Sequence, residues 1–217
     1  MKTSLLTLCL ATTLLLAGPS PALETRDLTW KNLVPPTEPF DDPFERLTED
    51  QIYDLGFLHE VQNAGQDADE ADLRDAKEVR RQLTLSGVDV GGLLSRVEEI
   101  REHRRKRAEA IDLSLSGKTI RMGGYLLPLE YSEEKTTEFL LVPYVGACIH
   151  VPPPPPNQIV HVHYPEGFKP ESLFTAVRVA GKMWARSSMK SLYLVDGTAD
   201  IPVGYSLDAT NVEIYDR

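Results

Sequence analysis

Residues able to bind a soft metal crowd into one stretch. Cys148 and His150 stand two apart, and His161 and His163 stand two apart, separated by the five prolines Pro152 to Pro156 and by Asn157-Gln158. The chain has five histidines and two cysteines, so this stretch holds most of its imidazole and its only thiol beyond the N-terminal leader. In a strand, residues two apart share a face. One antiparallel register sets Cys148 opposite His163 and His150 opposite His161, with directly opposed Cβ atoms about 4.5–5.5 Å apart. A thiolate and three imidazoles form a tetrahedral set for zinc or another thiophilic metal. The alternative stays open. In Val160-His161-Val162-His163, alternation also describes the solvent face of a half-buried strand with no metal. A second alternative is a Cys148 thiolate activated by histidine for nucleophilic chemistry. No third group is visible to orient such a pair, and an enzyme is not expected.

The prolines predict a stiff rod of roughly 15 Å at about 3.1 Å per residue. It reads as a spacer that fixes strand ends, with Asn157 and Gln158 exposed at its tip and available to a partner. Its other reading is a ligand for an aromatic-lined groove.

The surrounding elements follow from periodicity. Lys2, the apolar run Leu5–Ala17 and the small residues of Ser20-Pro21-Ala22 have the pattern of a signal peptide. Cleavage near Ala22 is expected, giving a periplasmic or secreted product with no integral membrane segment in the mature chain. Residues 23–46 are rich in proline and acid, which prevents a helix. They read as an extended arm pinned by Trp30, Leu33, Phe40 and Phe44. Residues 47–110 read as a helical region. Thr48-Glu49-Asp50-Gln51 is a capping box, followed by Ile52, Leu55, Leu58 and Val61 at helical spacing. A second helix is expected from about Ala68 to Leu85 and a third from about Val90 to Ala110. The basic run Arg101–Arg107 reads as a solvated face near a helix C-terminus, where cations complement the dipole.

From Ile111 the pattern turns to β-branched residues and period two. Strands are expected at Thr119–Leu129, bent at Gly123-Gly124, and at Thr137–Tyr144, Ile159–Tyr164, Phe174–Ala185, Ser191–Val195 and Val203–Ile214. The fold class is therefore α+β, with N-terminal helices packed on a small C-terminal OB-like β-barrel over residues 111–217. The net charge of −10 repels nucleic acid and anionic lipid.

The segment Val142-Pro143-Tyr144-Val145-Gly146-Ala147-Cys148-Ile149-His150-Val151-Pro152 through Gln158 resembles an exported bacterial family, the domain-of-unknown-function family 3299. Gly117–Leu129 and the Trp30-Lys31-Asn32-Leu33-Val34-Pro35 arm are similar to it as well. The resemblance implies an exported domain associated with envelope transporter systems, metal uptake included, and it transfers no activity to particular residues. The functional expectation is a metal-binding transporter accessory for delivery or sensing, with zinc or another thiophilic metal as the bound ion. The alternative is a non-enzymatic envelope interaction module that uses the barrel face and the proline-rich loop.

Overall fold

The computed structural model describes residues 25–129, 135–148, 153–194 and 197–215. The leader and His150 lie outside the described residues.

The arm begins as a two-residue strand, β1 (Arg26–Asp27), parallel to β2 (Thr119–Pro128). It continues through two 3-10 turns, Trp30–Leu33 and Pro43–Arg46. Leu33 is fully buried, and Trp30 packs against the sheet's core. Phe40 stacks on His103 with ring centroids 3.7 Å apart, and Phe44 packs among the helices. The aromatic and aliphatic groups that interrupt the prolines thus fix the arm along its length.

Four helices follow. In α1 (Glu49–Ala64), Thr48 and Gln51 form both halves of the capping box, and Gly65 at φ 55° ends the helix. α2 (Glu70–Leu85) is capped by Asp69. The single helix expected over 90–110 is instead two, α3 (Val90–Ser95) and α4 (Val97–Glu109), divided at Arg96. Gly91-Gly92 weakens the first turns, since glycine costs about 1 kcal/mol against alanine in a helix. Leu55, Leu58, Leu83, Val90, Leu93, Leu94 and Val97 form the helical core. Much of the basic run on α4 is ion-paired: Arg101 with Glu98 and Arg105 with Glu102 and Glu109 along the helix, and Arg104 with Asp42 of the arm.

The remaining strands are β3 (Thr136–Val142), β4 (Val160–Phe168), β5 (Ala176–Leu194) and β6 (Gly197–Ile214). The two segments expected at 174–185 and 191–195 form one 19-residue strand, and the last strand starts earlier than expected. Antiparallel pairs join β2 to β3, β3 to β4, and β5 to β6, while β4 runs parallel to β6. β2 also pairs with β5, so the chain of pairings returns on itself through β2, β3, β4, β6 and β5. The architecture is mixed α+β, with four helices and a six-stranded sheet among the described residues.

Phe139, Leu140, Leu141 and Val142 are all fully buried, although neighbours along a strand face opposite ways. Phe139 and Leu141 enter the main core with Tyr205, Leu207 and Met183. Leu140 and Val142 meet a second cluster that includes Leu192, Ile201 and Val203 from the far ends of β5 and β6. The long β5–β6 hairpin therefore covers the outer side of β3. No helix among the described residues is long and apolar enough to cross a membrane.

Candidate functional site: a groove beside the N-terminal arm

The expected register of Cys148 opposite His163 does not form, and His150 lies outside the described residues. A strand has two edges, and both edges of β4 are taken. His161 lies opposite Leu140 of β3 and Ser206 of β6, and His163 lies opposite Glu138 and Asp208. No edge of β4 remains for Cys148 to pair with. Cys148 instead occupies a turn after β3 at φ 68°, packed against the second core cluster. Burial pushes its thiol up to about 11, away from the thiolate that a nucleophile requires.

The two histidines separate in role. His161 is 7% exposed, and its Nε2 lies 2.9 Å from Glu138 Oε2. Desolvation lowers its affinity for a proton, opposed by the Glu138 hydrogen bond. His163 is half exposed, with Nδ1 3.9 Å from Asp208 Oδ1. Among the described residues, no group of three or more His, Cys, Asp or Glu side chains is placed to hold a metal ion.

Asn157 and Gln158 are also not an exposed tip. Asn157 is 2% exposed. Its amide nitrogen donates to Arg107 O at 2.8 Å and to Ala110 O at 2.9 Å. These are carbonyls that the end of α4 leaves without intrahelical partners. Gln158 Nε2 donates to Trp30 O at 2.9 Å. Pro156–Gln158 form a 3-10 turn that seats both amides inward. The end of the proline run is therefore a tie between helices, arm and sheet.

A concave site lies elsewhere. A groove of about 330 Å³ runs between the arm and the outer side of β2 and β5. Its floor is Gly123 with Ala176, and its walls include Trp30, Tyr125, Tyr215, Arg121 and Arg178. Strand register explains the trough. Gly123 lies opposite Arg178, and Tyr125 lies opposite Ala176, so small residues alternate with large ones. A Cβ on Gly123 would come no nearer than 3.5 Å to any neighbour, at the Tyr215 ring. Gly124 serves the opposite side: a Cβ there would stand 2.8 Å from Trp30 Cζ2 and from Leu141 Cγ, so only glycine lets the indole approach.

The backbone adds polar groups. Leu28 N donates to Arg121 O, whereas Leu126 N donates to Thr175 O beside β5. Alternation therefore turns the N–H and C=O of Gly123 toward the arm side of β2. They lie between the arm's last pair, at Arg121, and the first β3 pair, at Tyr125. Two arginines flank this opening. Arg121 is held by a two-point pair with Asp27, at 2.6 and 2.9 Å, which lowers the Asp27 carboxyl's pKa. Arg178 lies over the Tyr215 ring, 4.3 Å from its centroid, and approaches Glu213 only to 3.6 Å.

Residues 30–214 match the family described as protein of unknown function (DUF3299). The chain belongs to the DUF3299 family. A crystal structure of a DUF3299 family protein from Pseudomonas aeruginosa PAO1 is similar at 26% sequence identity and a TM-score of 0.48, covering 89% of this chain and 98% of that one. No curated protein matches the chain. The DUF3299 match spans the arm from Trp30, the Gly123-Gly124 pair and Arg178, which together line the groove. Sequence reasoning missed the groove because its walls come from segments nearly two hundred positions apart. The available signals were the glycine pair in β2 and the tryptophan in a proline-rich arm.

Proposed function

We propose that this DUF3299 protein is an exported, non-enzymatic interaction module of the cell envelope, built on an OB-like barrel and binding through the groove beside its arm. The observation that carries the reading is the groove itself. Its 330 Å³, aromatic residues and few convergent polar groups fit the usual dimensions and lining of a ligand site. The return of the strand pairing through β2 and β5 supports the barrel. The leader's charge and apolar run support export. The raised thiol of Cys148 supports a role without nucleophilic catalysis.

The test is photo-crosslinking in intact cells. Benzoylphenylalanine is placed at Tyr215 in the groove and, as control, at Tyr53, which is 78% exposed on α1. A discrete adduct from position 215 alone, lost when Gly123→Val fills the floor, is expected. Equal yields from both positions would refute the groove as the binding surface. N-terminal sequencing of the secreted product should begin at Leu23, and an intact leader would refute export by this route.

A further inference from the structure

We infer that the groove is a carboxylate receptor: it takes a ligand in which a carboxylate adjoins an apolar or aromatic group, with Arg178 as the anion-recognising residue. This rests on the groove being the binding site.

Arg178 differs from the chain's other groove arginine. Arg121 commits Nε and Nη2 to Asp27. Arg178 is oriented by a ring: its guanidinium lies over Tyr215 at 4.3 Å, and its approach to Glu213, at 3.6 Å, is longer than a hydrogen bond. Its side chain is 38% exposed, so the fork is reachable from solvent. A stacked guanidinium presents its planar donors in a fixed direction and matches a carboxylate in two-point fashion. The Gly123 N–H, turned to the arm side of β2, supplies a second donor at the groove floor. Tyr125 and Tyr215 line the same space and accept the adjoining apolar group. Asp27 is neutralised by Arg121, and Glu213, in a loose ion pair with Arg178 at 3.6 Å, is the carboxylate that an incoming anion displaces.

Such a carboxylate has two sources, a peptide C-terminus or a free organic acid. Calorimetric titration of the secreted protein with four probes separates them: N-acetylphenylalanine, its carboxamide, the acetylated tripeptide Ala-Ala-Phe, and that tripeptide's amide. Both acids should bind at least tenfold more tightly than their amides. A tripeptide acid at least tenfold tighter than N-acetylphenylalanine identifies a peptide end, and equal affinities identify a small acid. Arg178→Gln should weaken acid binding at least tenfold and leave amide binding unchanged, with Arg178→Lys between the two. Gly123→Val should abolish binding of all four, while Gly123→Ala, whose Cβ fits, reports on folding. Acids and amides that bind alike, or acid affinity unchanged in Arg178→Gln, overturn the inference. So does failure of both acids to bind at millimolar concentration. If crosslinking at Tyr215 then still gives its adduct, the groove reading stands without the carboxylate; if that also fails, both fall.

Discussion

Replacing Asn157 tests whether the proline run ends in a tie or in a surface for partners. The side-chain amide donates two hydrogen bonds, to Arg107 O at 2.8 Å and to Ala110 O at 2.9 Å, from a residue only 2% exposed. A typical intramolecular hydrogen bond contributes about 1 kcal/mol net, and a buried acceptor left without its donor costs about 1–3 kcal/mol. Asn157→Ala removes one donor group but strands two carbonyls, so a loss of about 2–4 kcal/mol is expected. At about 2–4 °C per kcal/mol for a protein of this size, the melting temperature falls by about 4–16 °C. Asn157→Asp is a sharper probe because the shape is kept. It points a carboxylate at two carbonyl oxygens, replacing attraction with repulsion, and should cost at least as much at pH 7. Protonation restores one donor, so the deficit against wild type should narrow as the pH falls through the carboxyl range. The assay is thermal and urea unfolding followed by circular dichroism. Hydrogen exchange over residues 107–112 reads the end of α4 directly. An exposed polar side chain would change stability by no more than about 0.5 kcal/mol. A loss that small for Asn157→Ala, with exchange at 107–112 unaltered, would refute the tie.

Acid sensitivity should trace in part to His161. Burial lowers its proton affinity in the folded state, so the unfolded chain takes up the proton first as pH falls through the ordinary histidine range near 6.5. The stability linked to neutral His161 is therefore complete above that range and lost below it. His161→Gln keeps a donor for Glu138 without titrating, and its melting temperature should fall less than wild type's between pH 7.5 and 5.5; parallel curves would refute the assignment. Cys148 should react slowly with iodoacetamide. With the thiol near 11, its thiolate fraction at pH 7.5 is about two orders of magnitude below that of an ordinary cysteine near 8.5. Folded protein labelling as fast as urea-unfolded protein would refute the buried turn.

Local chemistry was legible in the sequence. The Thr48–Gln51 capping box and the stop at Gly65 rest on contacts within a few residues, and both form as read. Strand existence was legible for the same reason. Lateral order was not, because it depends on which strands meet after the chain has travelled far. β4 finds its second neighbour in β6, more than forty residues on, and that parallel pair closes the edge the Cys148 register needed. Alternation also misled. His161 reads as a solvent-facing residue between valines, yet it is 7% exposed. The cause is the length of β5 and β6, whose far ends cover the outer side of β3 and bury Leu140 and Val142 as well. A period-two pattern reports burial only where one face stays wet. The break at Arg96 was hidden because Leu93, Leu94, Val97 and Ile100 keep an unbroken apolar stripe across it.

The stretch richest in chemical groups therefore acts on function at one remove. Gln158 Nε2 holds the carbonyl of Trp30 at 2.9 Å, the same tryptophan's indole is seated against Gly124 on the core side, and the residue borders the groove. Tyr205, fully buried, donates its hydroxyl to Leu33 O at 2.5 Å and accepts from Asp112 N at 2.6 Å, gripping the same arm from β6. Trp30 thus has its backbone fixed on one side by the end of the proline run and its 3-10 turn fixed by the core strand below. Beyond the Arg26–Asp27 pair and two short 3-10 turns, the described arm has no regular structure of its own to keep it in place. Its position depends on these side-chain bonds to its carbonyls, and so does the width of the groove. The prolines contribute by presenting Asn157 and Gln158 to the helix end and to the arm from one short turn. That gives the end of the proline run a structural task, tying helix end and arm to the sheet.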